Sequence, residues 1–537
     1  MGGLRCIIAV MDESKKVYIA TAIPYVNGKP HVGHAMDYLL ADIWARYQRQ
    51  NGKEVRFQVG TDEHGSKNAA KAKELGLTTQ QFVDQNYLPF EALMQKMKVT
   101  YTDFIRTTDP KHVARVQYIW KKLQPHIYKG KYEGWYCEGC EGFVTNKEAA
   151  EKGGVCSDHQ TPLVKLEEEN YFLRIGDFAT QIREAIETGR MKIVPEFRGK
   201  EFLALMERGM PDVSVSRPRK SLSWGVAVPD DPDQVMYVWI DALANYITVL
   251  GYPDSADWAE YWPADVQVLG KDILRFHAGI WPAILLGLGL ELPKMLLVHG
   301  HVTTGGEKMS KTVGNVVDPM EVLEKYGLDA FRYYFSRHVT TDGDGDFTWE
   351  RFENAYNNEL ADDLGNLVQR TAGMVNRYLE GVSGEVGQIG HDTFKFHESM
   401  SAMKFSEAFE SIWALVMGAN RYVDKVKPWA IAKRMKESND PDDRAHLEEV
   451  LRHTVETILQ VAKMMEPFMP DAAERISGVF NTGVVKLPEG GVFPKIYIHT
   501  TDPRTARGGV EAKVEVQSEN AGGGGEAAGE VAGATDQ

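Results

Sequence analysis

Two histidines, His31 and His34, flank Gly33 in the stretch "NGKPHVGHAM" at 27–36, where a strand-like run gives way to a helix-like one. A helix amino terminus leaves backbone N–H groups unpaired and carries the positive end of the helix dipole, so it favours an anion. Imidazole N–H donors added there can grip phosphate oxygens, and the missing side chain of Gly33 lets a flat purine lie against the backbone. Alone, a His-x-Gly-His is more often a pair of capping or core histidines. The second group is "KMSK" at 308–311, just after Gly305 and Gly306. Two lysines on a glycine-hinged loop can close on a polyphosphate and neutralise charge that develops in a transition state. Alone, it is commonly a solvated surface turn. It is not a Walker loop, since no G-x-x-x-x-G-K-[ST] occurs in the chain.

A third constellation joins "CEGC" at 137–140 to "CSDH" at 156–159. The pattern is C-x2-C, a spacer of ~15 residues and C-x2-H, the arithmetic of a tetrahedral zinc knuckle. Cys137, Cys140, Cys156 and His159 would fill four positions and leave none for water, so the expected zinc is structural. The competing reading, free cysteines, needs two coincident x2 spacings beside glycines suited to tight turns. An imidazole in the set makes metal loss at mildly acidic pH an expectation. Cys6 is left over.

These groups need elements to position them. Residues 17–25 form a β-branched and aromatic run ended by Pro24, Asn27, Gly28 and Pro30, which reads as a strand and turn. From 33 to 50, Met36, Leu39, Leu40, Ile43, Trp44 and Tyr47 recur at helical spacing and stop at Asn51-Gly52. A second strand, 55–59, ends in "GTDEHG". Strand, helix, strand is a βαβ unit of a parallel sheet. The grammar returns at 266–269, ending in Gly-Lys-Asp, and at 295–299, ending in a loop "GHVTTGGEKMSKT". Parallel sheets take ligands beyond the carboxyl ends of their strands, where all four polar loops lie. The segment between, 116–229, reads as an insertion holding the cysteines and weakly helical stretches. Beyond 349 three long stretches at helical spacing, 352–379, 406–423 and 446–464, read as a helical bundle. The expected fold is therefore α/β, a Rossmann-like parallel sheet split by a zinc-knuckle insertion and followed by an all-α bundle. From about 499 the chain is rich in Gly, Ala and Glu and is expected to be disordered.

At 537 residues the chain exceeds what one core supports, so about two to four domains are expected. The excess of 76 Asp+Glu over 61 Lys+Arg, a formal charge of −15, argues against binding a polyanion through the overall field and leaves room for a local basic groove. The longest apolar stretch, 278–290, contains Pro282 and falls short of the roughly 18 residues of a membrane span. The amino terminus lacks the length and flanks of a secretory signal, and Met11 is an alternative start. Four cysteines make no disulfide scaffold and point to a reducing compartment, hence a cytoplasmic protein.

"HVGH" early and "KMSK" late in one split parallel-sheet chain resemble the paired motifs of class I aminoacyl-tRNA synthetases. The runs "ATAIPYVNGKPHVGHA", "VGTDEHG", "EEENYFLRI", "YVWIDALANYI", "VLGKDILRFHAGIWPAILL" and "HGHVTTGGEKMSKTVGNVVDP" resemble the methionyl-tRNA synthetase family, over about residues 16–498. The resemblance implies that His31, His34, Lys308 and Lys311 are catalytic, with Gly33 and Ser310 also at ATP. It implies a methionine pocket of Ile23, Tyr25, Trp239, Ala242, Leu243, Tyr246, His277, Ile280 and Trp281, with Asp62 on the substrate ammonium. Leu243 and Ile280 depart from some members, which carry Pro or Phe there. An aromatic slot suits a long, polarisable thioether. The insertion, ~110 residues and partly used by cysteines, is too small for a hydrolytic editing module, which disfavours leucine, isoleucine and valine. In the bundle, Asn366, Arg370 and Trp429 would read the CAU anticodon, beside a basic stretch with Lys425, Lys427, Lys433, Arg434 and Lys436.

The expectation is thus a methionine–tRNA ligase using ATP with Mg2+, structural Zn2+, L-methionine and the initiator and elongator tRNA(Met), acting as a monomer. The domains would be 1–115 and 230–295 for the two halves of the catalytic fold, 116–229 for the connective insertion, 296–349 for the KMSK loop and stem-contact region, 350–498 for the anticodon-binding bundle and 499–537 for the tail. The alternatives are another class I nucleotidyl-transferring enzyme, such as a cysteine-specific synthetase, and a catalytically silent zinc- and RNA-binding scaffold.

Overall fold

The computed structural model describes residues 15–137, 142–144, 146–156, 160–309, 316–382, 392–438, 440–480, 484–485 and 490–496. Six parallel strands form the main sheet: β1 (Lys16–Thr21), β2 (Glu54–Thr61), β3 (Asp103–Arg106), β4 (Lys192–Val194), β5 (Val266–Gly270) and β6 (Met295–His299), in the order β3-β2-β1-β5-β6-β4. β1 is buried over all but its first residue, as a strand covered on both faces must be. The chain winds outward from β1 through β2 to β3, then resumes on the other side with β5 and β6. The winding therefore reverses between β1 and β5, and such a switch point opens a crevice at the carboxyl ends of the strands.

Helix α1 (Val32–Gln50) follows β1. Nearly three turns into it, Asp42 is fully buried. It accepts from Arg46 Nε at 2.7 Å and the Thr100 amide at 2.7 Å, and it pairs with Arg332 Nη1 at 2.7 Å. Arg332, also fully buried, donates through Nε to the Phe468 carbonyl at 2.6 Å and through Nη2 to the Pro467 carbonyl at 2.9 Å. Burial acts to raise the Asp42 pKa, but the two guanidinium groups outweigh it and the carboxyl stays below its usual range. The helix that begins with His31 is thus pinned to the helical half of the chain.

Several expectations change in detail. The strand expected over 17–25 stops at Thr21, because Pro24 has no N–H for the ladder. Tyr25 then makes a single parallel bridge with Asp62. β3, four residues long, carries too little pattern to be read. The segment 116–229 is not wholly an insertion: helix α2 (Pro110–Leu123) runs into it and β4 returns to the main sheet beside β6. The inserted part is an antiparallel sheet of Ile127–Cys137, Gly142–Val144, Val164–Leu173 and Val213–Ser214, where helix had been expected. The loop expected after β6 contains two strands, Val302–Thr304 and Glu307–Lys308, turned at Gly305 and Gly306, whose φ values of 62° and 81° favour glycine. The β-branched Val302, Thr303 and Thr304 suit that ladder.

Helix α3 (Glu196–Met206) follows β4, and the short helix α4 (Val238–Leu243) precedes β5. In the carboxyl half, Trp349–Ala355, a π-helical stretch Tyr356–Gly365 and helix α5 (Asn366–Tyr378) run end to end. Helices α6 (Phe405–Val426), α7 (Pro428–Ser438), α8 (Pro441–Met465) and α9 (Pro470–Phe480) complete the bundle. Three of these four begin with Pro, whose fixed φ and missing N–H suit the first helical position. Among the described residues no helix is long and apolar enough to cross a membrane.

Candidate active site

A cavity of about 1190 Å3 opens at the switch point. One wall is the amino terminus of α1. His31 caps it: His31 Nδ1 accepts from the Gly33 amide and His34 Nδ1 accepts from the His31 amide, both at 3.1 Å. The rings stack with centroids 3.8 Å apart. An Nδ1 that accepts carries no proton, so in the neutral ring the proton sits on Nε2. Capping therefore fixes both tautomers and makes each Nε2 a donor. A Cβ on Gly33 would stand 2.9 Å from the His31 ring, and the first turn holds no acidic residue to offset the dipole. The wall suits an anion with a flat group beside it.

Another part of the lining is aromatic. Trp239, Ala242, Leu243 and Tyr246 line it from α4 and the turn that follows. The Trp239 indole stacks on Phe276, centroids 3.6 Å apart and 10° from parallel. His277 Nδ1 lies 3.0 Å from the Ile273 carbonyl, so it donates, and Nε2 accepts from the Tyr246 hydroxyl at 2.8 Å. Burial pushes the His277 pKa down to about 4, which keeps the imidazole neutral near pH 7. Tyr18 donates to the Tyr246 carbonyl at 2.9 Å and holds that turn against β1. Asp62, buried at the end of β2, and Ile23 and Tyr25 complete the slot. A carboxylate at the rim of an apolar slot is what an α-amino acid with an unbranched side chain requires.

Beneath the slot, Asp241 joins its two sides. One carboxylate oxygen meets His64 Nδ1 at 2.7 Å and the other meets His112 Nε2 at 2.9 Å. Burial alone would raise this carboxyl, but His64 foremost and then His112 hold it at about 2. His64 belongs to the loop of Asp62, and Asp241 is two residues from Trp239. The ammonium partner and the aromatic wall are thereby held in one frame.

Sequence reasoning missed part of the site. His299, at the end of β6, pairs through Nε2 with Asp37 at 2.9 Å. Burial works against its charge, but the Asp37 carboxylate prevails and the pKa is raised. His301 approaches Asp272 at 3.6 Å, and Lys271 pairs with Asp344 at 2.6 Å. Their signal was positional: Lys271 and Asp272 follow β5, His299 ends β6 and His301 follows it, while Asp37 lies on α1 after β1.

Of the expected methionine residues, Ile23, Tyr25, Asp62, Trp239, Ala242, Leu243, Tyr246 and His277 line the cavity, and Ile280 and Trp281 are buried beside them. The π-helical turn Phe276–Ile280 directs Phe276 and His277 inward, while Trp281 backs Tyr246, ring centroids 5.7 Å apart, within the core. Lys308 ends the strand Glu307–Lys308, and Met309 and Val316 reach the cavity on either side of 310–315. Ser310 and Lys311 lie outside the described residues.

The bundle brings Arg370 and Trp429 together, the guanidinium 5.9 Å from the ring centroid, with Arg370 paired to Asp424 at 2.8 Å. Trp429 is 41% exposed, which rules out a core anchor. Asn366, exposed, lies one turn before Arg370 on α5. Cys137 and Cys156 are buried in one small cluster with Ala149 and Leu163. Cys140 and His159 lie outside the described residues.

Comparison with known proteins agrees with this geometry. A family model described as tRNA synthetases class I (M) matches residues 17–162 and 150–372, and one described as the anticodon binding domain of methionyl tRNA ligase matches 386–492. The methionine–tRNA ligase of Caldanaerobacter subterraneus is 41% identical over 477 residues, 86% of this chain and 73% of its own. That of Thermotoga maritima is 39% identical, covering 86% and 74%. Among solved structures, Mycobacterium tuberculosis methionyl-tRNA synthetase in complex with methionyl-adenylate superposes with a TM-score of 0.83 at 35% identity, over 89% of this chain and 99% of that one. Its free form gives 0.78 at 32%, over 90% and 99%.

Proposed function

Since this chain belongs to the class I methionyl-tRNA synthetase family, we propose that His31, His34, Lys308 and Lys311, with Gly33 and Ser310, form its ATP site, and that the slot ending in Asp62 is its methionine pocket. The enzyme is a methionine–tRNA ligase. A carboxylate oxygen of L-methionine attacks the α-phosphorus of ATP, the bond to pyrophosphate breaks, and methionyl-adenylate forms. A ribose hydroxyl of the tRNA 3′-terminal adenosine then attacks the methionyl carbonyl carbon. AMP leaves, and the hydroxyl proton passes to its phosphate or to water.

The single observation that carries this assignment is that two Nε2–H donors at a helix amino terminus and a buried carboxylate beside an aromatic slot open into one cavity. The attacking carboxylate is already an anion and the leaving group is stable, so positioning and electrostatics suffice and no acid–base dyad is required. The imidazole donors grip the phosphate oxygens, while the lysines approach from the 308–311 loop. Asp62 takes the ammonium, which turns the substrate carboxylate toward the phosphates. Tyr246 and His277 present polar atoms at a fixed depth beside the Trp239–Phe276 wall. Mg2+ bound to ATP would supply charge neutralisation at the departing pyrophosphate.

Two buried cysteines in one cluster, each followed at the third position by a further Cys or His, fit a Cys3His zinc set. Cys137, Cys140, Cys156 and His159 would hold Zn2+ and tie the inserted sheet together. Metal analysis of the purified chain should find about one zinc per molecule. Asn366, Arg370 and Trp429 read the anticodon of initiator and elongator tRNA(Met) by stacking and hydrogen bonds to splayed bases. The protein works as a cytoplasmic monomer, with residues 1–115 and 230–295, joined by α2 and β4 from within 116–229, as the catalytic fold, the antiparallel sheet inside 116–229 as the connective insertion, 296–349 as the stem-contact region, 350–498 as the anticodon domain and 499–537 as a tail.

Amino-acid-dependent exchange of labelled pyrophosphate into ATP tests the activity. Exchange with methionine and not with cysteine, leucine or isoleucine is expected. Exchange with another amino acid alone, or none, would overturn the reading.

A further inference from the structure

The ligands of adenylate formation leave one wall of the cavity unused. Arg198, Glu201, Phe202 and Leu205 line it at spacings of three, four and seven, so they form one face of α3. None of them belongs to the anion-binding turn, the ammonium site or the aromatic slot. Phe202 is buried and would contact a Cβ on Gly279 at 3.4 Å, so it anchors the helix beside the methionine pocket. Leu205, on the cavity wall, is 45% exposed, and Phe197, beside the cavity-lining Arg198, is 40% exposed, an unusual outlay of apolar surface next to a charged cavity.

Arg198 is the cation on this wall. Its Nη1 donates to Glu201 at 2.8 Å and its guanidinium lies 4.6 Å from the Phe197 ring centroid. Its Nε is buried with no partner among the described residues. That resting pose leaves a donor unmet, so the guanidinium gains by turning from Glu201 onto an acceptor that brings its own negative charge. Exposed Arg275 also lines the cavity, 4.7 Å from the Phe276 centroid. Two guanidinium groups and exposed aromatic and aliphatic surface on this side of the cavity match what an unpaired nucleic-acid strand offers: phosphates at intervals and bases that stack without pairing. In a chain of net charge −15 such contacts must be local.

The second substrate must bring a ribose hydroxyl to the methionyl carbonyl inside this same cavity. Resting on the ligase reading above, we infer that the α3 face seats the unpaired 3′-terminal nucleotides of the tRNA, with Arg198 on a backbone phosphate and Phe197 and Leu205 against a base. Arg198 is then a positioning residue of the transfer step.

The test compares two rates on the same preparations: methionine-dependent pyrophosphate exchange, and single-turnover transfer from preformed enzyme-bound methionyl-adenylate to full-length tRNA. Arg198→Ala should lower the ratio of transfer to exchange about tenfold or more. Arg198→Lys, which keeps the charge and loses the planar fork, should lower it less. Phe197→Ser with Leu205→Ser, at exposed positions that the fold tolerates, should lower it about three- to fivefold. In R198A the dependence of transfer on salt should flatten by about one counterion. A parallel fall in both rates, or an unchanged ratio in all three variants, would overturn the inference. Exchange in the unmodified chain reads the underlying ligase activity separately, so the two can fail independently.

Discussion

The proposed methionine pocket and the proposed anticodon face are built on opposite principles. In the pocket, Tyr246 donates to His277, His277 donates to a backbone carbonyl, Asp241 ties two imidazoles, and every one of these groups is buried. The site is complete before the ligand arrives, so little ordering remains to be done on binding. On the anticodon face, Trp429 is exposed and Arg370 is engaged with Asp424, itself solvent-facing. That guanidinium must exchange its partner before it can reach a base. A small apolar amino acid, worth only about 1–3 kcal/mol per methylene, needs a rigid mould to be told from its neighbours. A large polyanion supplies many contacts and can reward rearrangement. Between the two regions lies the Asp42–Arg332 pair, one end of which is the histidine helix itself.

The largest effect should come from severing that link. Arg332→Leu leaves Asp42 charged, buried and short of a partner, which costs about 3–5 kcal/mol; urea denaturation should show the midpoint falling, and a loss under 1 kcal/mol would mean the pair does not join the regions. His34→Ala removes one phosphate donor without touching the anticodon face. Adenylate formation should fall about 10²- to 10³-fold while tRNA affinity by filter binding changes little. Equal losses in both would break the separation.

His277 sharpens the contrast through pH. Its folded pKa is near 4, while the unfolded chain takes a proton near 6.5. Stability from this group is therefore full above 6.5 and is lost as pH falls toward 4, with a slope of at most about 1.4 kcal/mol per unit. Denaturation midpoints across that window should decline more steeply for the natural chain than for His277→Gln. The smallest effect belongs to the exposed pair: Asp424→Asn frees Arg370 and should tighten tRNA binding by no more than about fivefold, in keeping with the ~1 kcal/mol of a surface ion pair. Weaker binding would show that Asp424 orients Arg370 instead of restraining it.

What could be read from residues alone follows the range of the interaction involved. The turn at His31 was legible because capping is local: the donors and acceptors lie within three residues. The strands flanking it were legible because two-sided burial leaves unbroken apolar runs. Asp42 was not singled out: it sits inside the apolar run "LLADIWARY", and its partner lies 290 positions away, where no local pattern could name it. The inserted sheet was read as weak helix because strands such as Val164–Leu173 mix charged residues into one face without clean alternation. Phe276 was missed because nothing local in its sequence shows that a π-helical turn stacks it on Trp239.

The claim on which all this depends is that the α1 histidines and the 308–311 lysines converge on one triphosphate beside bound methionine. A crystal structure with methionine and a non-hydrolysable ATP analogue tests it most directly. The account predicts phosphate oxygens within hydrogen-bond reach of His31 and His34 Nε2, with at least one of Lys308 and Lys311 closed over the same group and the methionine ammonium on Asp62. A triphosphate bound elsewhere, or one gripped by the histidines with both lysines turned away to solvent, would contradict it.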